Sequence, residues 1–159
     1  MKSDNGHYVI GILSLFFVIT MSACSGEKKT EQTTTDSTGV TFDKVAAESA
    51  AVLDQLHNAA REINSACPVL IDPATRLDSA QVLSEAALQF NYTLTTASRD
   101  DIDLQQLAAT TKPALIESVK TNSAMADLRD HSITMVYNYR DKNGEYLLKI
   151  PVTPTDYAK

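Results

Sequence analysis

The cleanest period-two pattern in this 159-residue chain runs from Leu88 to Thr95, where Leu88, Phe90, Tyr92 and Leu94 alternate with Gln89, Asn91, Thr93 and Thr95. Successive side chains point to opposite sides of a pleated strand, so the alternation predicts a strand with one buried and one polar face. A different period governs Thr41 to Ala66. There Phe42, Val45, Val52, Leu53, Leu56, Ala60 and Ile63 recur at three- and four-residue intervals, which predicts a long helix with one apolar stripe. Thr41 is placed as its N-cap and Asp43 in its first turn, where a carboxylate meets the positive end of the helix dipole. Pro68 disfavours helix at Cys67 and closes the element. His57 and Arg61 fall four apart on its polar side and read as a solvated face.

The short apolar run Cys67 to Ile71 predicts a strand, and Asp72-Pro-Ala-Thr75 has the chemistry of a turn. A second strand is expected over Arg76 to Leu83. Beyond Asp100, Asp101 and Asp103, the residues Ile102, Leu104, Leu107, Ala108, Leu115, Ile116 and Val119 return to the helical period. Pro113 removes a backbone donor and is expected to kink or split that helix near Thr111. A short helical turn is expected over Ser123 to Asp130. Two β-rich runs, Ser132 to Arg140 and Glu145 to Thr153, flank Asp141-Lys-Asn-Gly144, the strongest hairpin signal in the chain. Ile133, Met135, Tyr137 and Tyr139 are expected to share a face, opposite Tyr146, Leu148, Ile150 and Val152. Pro151, having no donor, marks an edge strand or the outward side of the ladder. The order α-β-β-β-α-β-β implies an α+β fold with an antiparallel sheet of about five strands and helices packed on one face. A parallel α/β fold needs regular strand–helix alternation, which is missing.

Upstream of this domain an apolar run extends from Tyr8 to Met21 behind the polar start MKSDNGH. It falls short of the roughly 20 residues a membrane-spanning helix needs, and it ends in small residues, as the core of an export signal does. Met21-Ser-Ala-Cys24 resembles a bacterial lipobox, in which the cysteine is acylated and becomes the new N-terminus. An ordinary cleaved signal peptide and an uncleaved short anchor are the alternatives. Met21 stands where leucine is commonest, and Asp4 accompanies Lys2, the lone cation of the leader. Ser25, rather than an aspartate, follows the cysteine and favours sorting to the outer membrane. Residues 25–39 contain no large apolar side chain, so they are expected to form a flexible polar tether reaching roughly 50 Å. The expected division is thus a signal peptide over 1–24 with lipid attachment at Cys24, a tether over 25–39 and one α+β domain over 40–159.

A net charge of −6 repels phosphate backbones and disfavours nucleic acid as a partner. If Cys24 is acylated, Cys67 has no partner within the chain, and a lone cysteine is most often buried and inert. No zinc spacing can be built from Cys67, His57 and His131, and no cofactor is implied. GxSxG, HExxH, P-loop and GxGxxG signatures are absent. Thiol chemistry at Cys67 would need a histidine brought beside it by folding. The binding candidates are Arg76 with Asp78, two apart on one strand face, and Arg129 with His131, at an expected helix end. A cross-strand ion pair and a helix cap are their structural alternatives.

The segments CPVLIDPATRLDS (67–79), FNYTL (90–94) and LRDHSITMVYNYRDKNGEYLLKIPVTP (128–154) together resemble a family of small bacterial envelope proteins and lipoproteins of unknown function. Members of that family often close with a cysteine after the last proline. This chain ends instead in Thr155-Asp-Tyr-Ala-Lys159, which leaves Cys67 without such a mate. The resemblance implies an exported, membrane-anchored protein and supplies no catalytic residue. The expected function is a non-enzymatic lipoprotein facing the periplasm, bound to the membrane through lipidated, palmitate-bearing Cys24 and holding another envelope protein. A small-ligand or lipid carrier, with a groove between the helices and the aromatic strand face, is the alternative. A thiol-dependent enzyme using Cys67 is the third reading.

Overall fold

The computed structural model describes residues 42–158, so the expected signal peptide with Cys24, the tether and the Thr41 cap lie outside the described residues. The chain forms α1 (Phe42–Ala66), β1 (Val69–Asp72), β2 (Thr75–Ser84), β3 (Ala87–Leu94), α2 (Leu104–Thr121), α3 (Ala126–Asp130), β4 (Thr134–Arg140), β5 (Tyr146–Val152) and α4 (Pro154–Tyr157). The five strands lie side by side in sequence order. This is the α+β arrangement that the hydrophobic periods predict, and the element order follows them as far as β5.

The sheet is mixed where the sequence reading made it antiparallel throughout. Hairpin turns join β1 to β2, β2 to β3 and β4 to β5, and those pairs are antiparallel, but β3 and β4 run parallel. The cause is the connection. Residues between Leu94 and Thr134 carry the chain back along the sheet through α2, and a helical crossover delivers the next strand in the same direction as the last.

One face of the sheet carries the core. Leu88, Phe90 and Tyr92 of β3 meet Met135, Tyr137 and Tyr139 of β4 and Ile150 and Val152 of β5. Leu56 and Ala60 of α1 and Val119 of α2 join the same cluster, so both long helices cover this one face. The aromatic rings are stacked, with centroids 5.4 Å apart for Phe90–Tyr137 and 5.3 Å apart for Tyr92–Tyr139. α2 starts at Asp103, whose carboxylate accepts from the amides of Gln105 and Gln106 at 2.9 and 3.0 Å. It then runs through Pro113 as one helix, not two. Pro113 and Ala109, four residues earlier, are both exposed, so the carbonyl deprived of its helical donor faces water.

α4 has no counterpart in the sequence reading. Asp156 accepts from both the amide and the hydroxyl of Thr153 at 2.8 Å, and Pro154 begins the helix. This turn delivers Tyr157 to the core, where its hydroxyl donates to the Ile133 carbonyl at 2.7 Å. Tyr157→Phe keeps the ring but leaves that buried carbonyl without its donor. The expected loss is about 1–2 kcal/mol in urea unfolding, and an unchanged midpoint would show that the bond contributes nothing.

Candidate functional site

On the opposite face of the sheet no described element packs. The residues there follow from strand register, one row at a time. Leu70 pairs with Arg76, Arg76 with Thr93, Thr93 with Arg140, and Arg140 with Tyr146, which makes one row across all five strands. The next row is Ser79, Asn91, Asn138 and Lys149. A third is Gln81, Gln89, Val136 and Pro151. Together they floor a shallow, open depression of about 690 Å³ lined by Asp78, Ser79, Gln81, Gln89, Asn91, Asn138, Arg140, Tyr146 and Lys149.

Its polar groups are organised. Gln89 donates to Asn91 Oδ1 at 2.7 Å, Asn138 donates to the same oxygen at 3.0 Å, and Asn91 donates to Ser79 Oγ at 3.0 Å. Asp78 sits at a bulge in β2, where its carboxylate accepts from Arg76 Nε and from the Thr93 hydroxyl, both at 2.5 Å. Gln89 is only 4 % exposed, yet among the described residues its Oε1 has no hydrogen-bond partner. An unpaired acceptor buried this deeply costs free energy.

The rim is apolar. Leu70 on β1 is 58 % exposed and Tyr146 on β5 is 50 % exposed. Tyr146 corrects the sequence reading, which placed it on the core face with Leu148. A register shift between Tyr139 and Arg140 puts Tyr146 opposite Arg140 and turns it outward, while Leu147 becomes the buried residue at 3 % exposure. One residue of slip exchanges the two faces of a strand. The hairpin behind Tyr146 is held by Asp141, which is fully buried and accepts from the amides of Arg99, Asn143 and Glu145 at 3.0, 2.8 and 2.8 Å. Burial pushes its carboxyl up, but the three backbone amides and the Asn143 side chain outweigh that and hold it below the ordinary value. Gly144, at φ +84°, supplies the left-handed position the turn needs. Arg99 adds a guanidinium bond to the Tyr146 carbonyl.

The structure brings two of the sequence-derived candidates, Arg76 and Asp78, into this open face. Arg129 and His131 lie beyond the other end of β4. Arg129 donates to the carbonyls of Val119 and Asn122, closing the C-terminal end of α2, and His131 Nδ1 lies 2.7 Å from its own helix's Asp127 carbonyl. His57 and Arg61 are exposed on the outer side of α1. Cys67 is free and half-buried, and neither histidine hydrogen-bonds to it among the described residues. Burial, and then the Asp78 charge, push its thiol up, away from the thiolate that nucleophilic chemistry needs. Tyr92, Tyr137 and Tyr139 are packed as core, and burial first, then their neighbours' charges, push their phenols up. Arg140, Lys149, Gln89 and Asn138 were not singled out by the sequence. Gln89 had one signal, the polar half of the alternation in β3; Asn138 and Arg140 lie on β4 and Lys149 on β5.

Among the described residues no helix is long and apolar enough to cross a membrane, and no group of three or more His, Cys, Asp or Glu side chains is placed to hold a metal. Among the described residues, helices cover one side of the five-stranded sheet and the other side is a polar floor. The chain belongs to the family described as domain of unknown function DUF8479, which matches residues 52–148. The three segments that carry the resemblance to envelope proteins lie in or overlap that region.

No curated protein matches the sequence. Three solved structures share the fold. A Pseudomonas aeruginosa protein described as secreted is 14 % identical with a TM-score of 0.56, covering 74 % of this chain and 98 % of its own. The type II secretion system pilotin AspS of Vibrio cholerae is 14 % identical with a TM-score of 0.56, covering 70 % and 97 %. The pilotin EpsS of the Vibrio vulnificus type 2 secretion system is 12 % identical with a TM-score of 0.56, covering 70 % and 96 %. At these identities the likeness is one of fold.

Proposed function

We propose that this protein is a non-catalytic lipoprotein of the bacterial envelope that holds a partner protein on the open face of its sheet. The observation that carries the reading is that face: a polar depression with a buried, unpaired Gln89 acceptor, bracketed by exposed Leu70 and Tyr146. Proteins that bind proteins place aromatic and apolar anchors beside groups that partners satisfy. The fold shared with two secretion-system pilotins and a protein described as secreted supports an accessory role at the envelope. The apolar leader ending at Met21-Ser-Ala-Cys24 supports a lipid anchor, with the tether holding the domain off the membrane. Triacylation supplies more than the two hydrophobic signals that stable anchoring requires.

Two measurements test this. Metabolic labelling with radioactive palmitate is expected to mark the full chain and to leave Cys24→Ala unlabelled; label on both would place the lipid elsewhere. In-cell cross-linking of the full chain, tagged after Lys159, is expected to recover one dominant envelope protein. A version carrying only residues 1–39 should lose it. Recovery of the same proteins by both would mean that the anchor, not the domain, determines the neighbours.

A further inference from the structure

We infer that the partner segment held on the open sheet face is acidic, with carboxylates for Arg140 and Lys149 and an apolar residue at each end for Leu70 and Tyr146. The inference rests on the protein-binding reading above and names the chemistry of what is bound.

Charge is the first ground. The chain as a whole carries −6, yet this face concentrates Arg76, Arg140 and Lys149 against the single carboxylate of Asp78. Asp78 is already engaged by Arg76 and the Thr93 hydroxyl. Arg140 spends one N–H on the Gly144 carbonyl at 2.7 Å, and among the described residues neither Arg140 nor Lys149 has a carboxylate within salt-bridge distance. Two exposed cations on adjacent strands, on an otherwise acidic protein, complement an anionic partner.

The second ground is Gln89. Its Oε1 has no hydrogen-bond partner among the described residues, and the Gln89 side chain forms part of the floor on which the segment lies. The third is the pair of rim residues. Leu70 and Tyr146 stand at opposite ends of one row of five strands, roughly 19 Å apart at about 4.8 Å per strand spacing. An aliphatic residue at one end favours a peptide over a saccharide, which presents hydroxyls to it.

The test introduces a photo-cross-linking amino acid at Leu70, at Tyr146 and, on the outer face of α1, at Asn58, in the full anchored chain expressed in its own cells. Capture at 70 and 146 of a peptide rich in Asp or Glu is expected. The charge-reversed pair Arg140→Glu and Lys149→Glu should reduce that capture at least about tenfold, since like charges repel across an interface. Both sites are exposed, and the charge-preserving pair Arg140→Lys and Lys149→Arg should retain capture. With purified full chain in micelles, a labelled peptide of Leu and Glu should bind more tightly than its Leu and Gln counterpart, and the difference should fade with salt.

Capture unchanged by charge reversal, a captured peptide without carboxylates, equal binding of the two peptides, cross-links to this chain's own residues 25–39, or cross-links to a glycan would each overturn the inference. Capture of a protein at Asn58 alone overturns it while leaving the protein-binding reading standing. Capture at none of the three positions overturns both.

Discussion

Tyr137→Ala is expected to cost about 3–5 kcal/mol of folding stability, as removal of a buried aromatic side chain does. The ring is 3 % exposed and stacks on Phe90 and, at a centroid distance of 6.2 Å, on Tyr92. Each stacked pair adds about 0.5–1.5 kcal/mol beyond area burial, so the loss belongs at the upper end of that range. Small domains have only about 5–15 kcal/mol in total, and the variant should unfold at much lower urea than the parent. Tyr137→Phe, which keeps the stack, should stay close to the parent. This pair of variants also separates two functional readings. If the aromatic face were the wall of a carrier's groove, Tyr137→Ala would leave the unfolding midpoint nearly unmoved and alter ligand uptake instead.

The second large effect is expected at Asp141. Asp141→Asn preserves shape but replaces one carboxylate oxygen with a donor. Both oxygens are in use: Oδ1 accepts from the Asn143 and Glu145 amides, and Oδ2 from the Arg99 amide and the Asn143 side chain. Whichever oxygen is lost, an N–H then faces an N–H inside a buried loop. The variant should melt well below the parent, and the Arg99, Asn143 and Glu145 amides should lose their protection from hydrogen exchange. An unmoved melting midpoint would show that the loop is held by other contacts.

Acid should reveal the same carboxylate. Its folded pKa lies below the unfolded one, so its contribution is present above about pH 4 and is lost as pH falls through the folded value. Asp156 behaves alike, held down first by the Thr153 amide and hydroxyl. The stability gap between parent and Asp141→Asn should therefore be widest near neutral pH and narrow under acid. A gap that widens on acidification would reverse the sign and refute the assignment.

Local rules were sufficient wherever one face of an element is buried. Strict alternation from Leu88 to Leu94 marked β3, three- and four-residue spacing marked α1 and α2, and Asp141 to Gly144 marked the β4–β5 hairpin. The Arg76–Asp78 pair was legible for the same reason, since residues two apart on a strand share a side, although a bulge at Asp78 intervenes. α4 escapes the hydrophobic pattern even though Thr153-Pro-Thr-Asp156 has the spacing of a capping box, because four residues leave no period to detect. The split expected at Pro113 does not occur. A proline on the exposed side of a packed helix costs one bond that water replaces, and the buried side of α2 holds the element together.

What the amino-acid pattern determined by itself was the strands, the long helices and, Tyr146 apart, the apolar side of each, because these follow from neighbours a few positions apart. Tertiary structure alone decided the rest. The parallel pairing of β3 with β4 depends on how α2 crosses the sheet, and the outward turn of Tyr146 depends on a one-residue shift against β4. The assembly of Arg76, Arg140, Lys149 and Gln89 on one floor depends on the register of four strands at once. Register is a relation between segments far apart in the chain, so no local spacing encodes it, and the open face exists only after the sheet has formed.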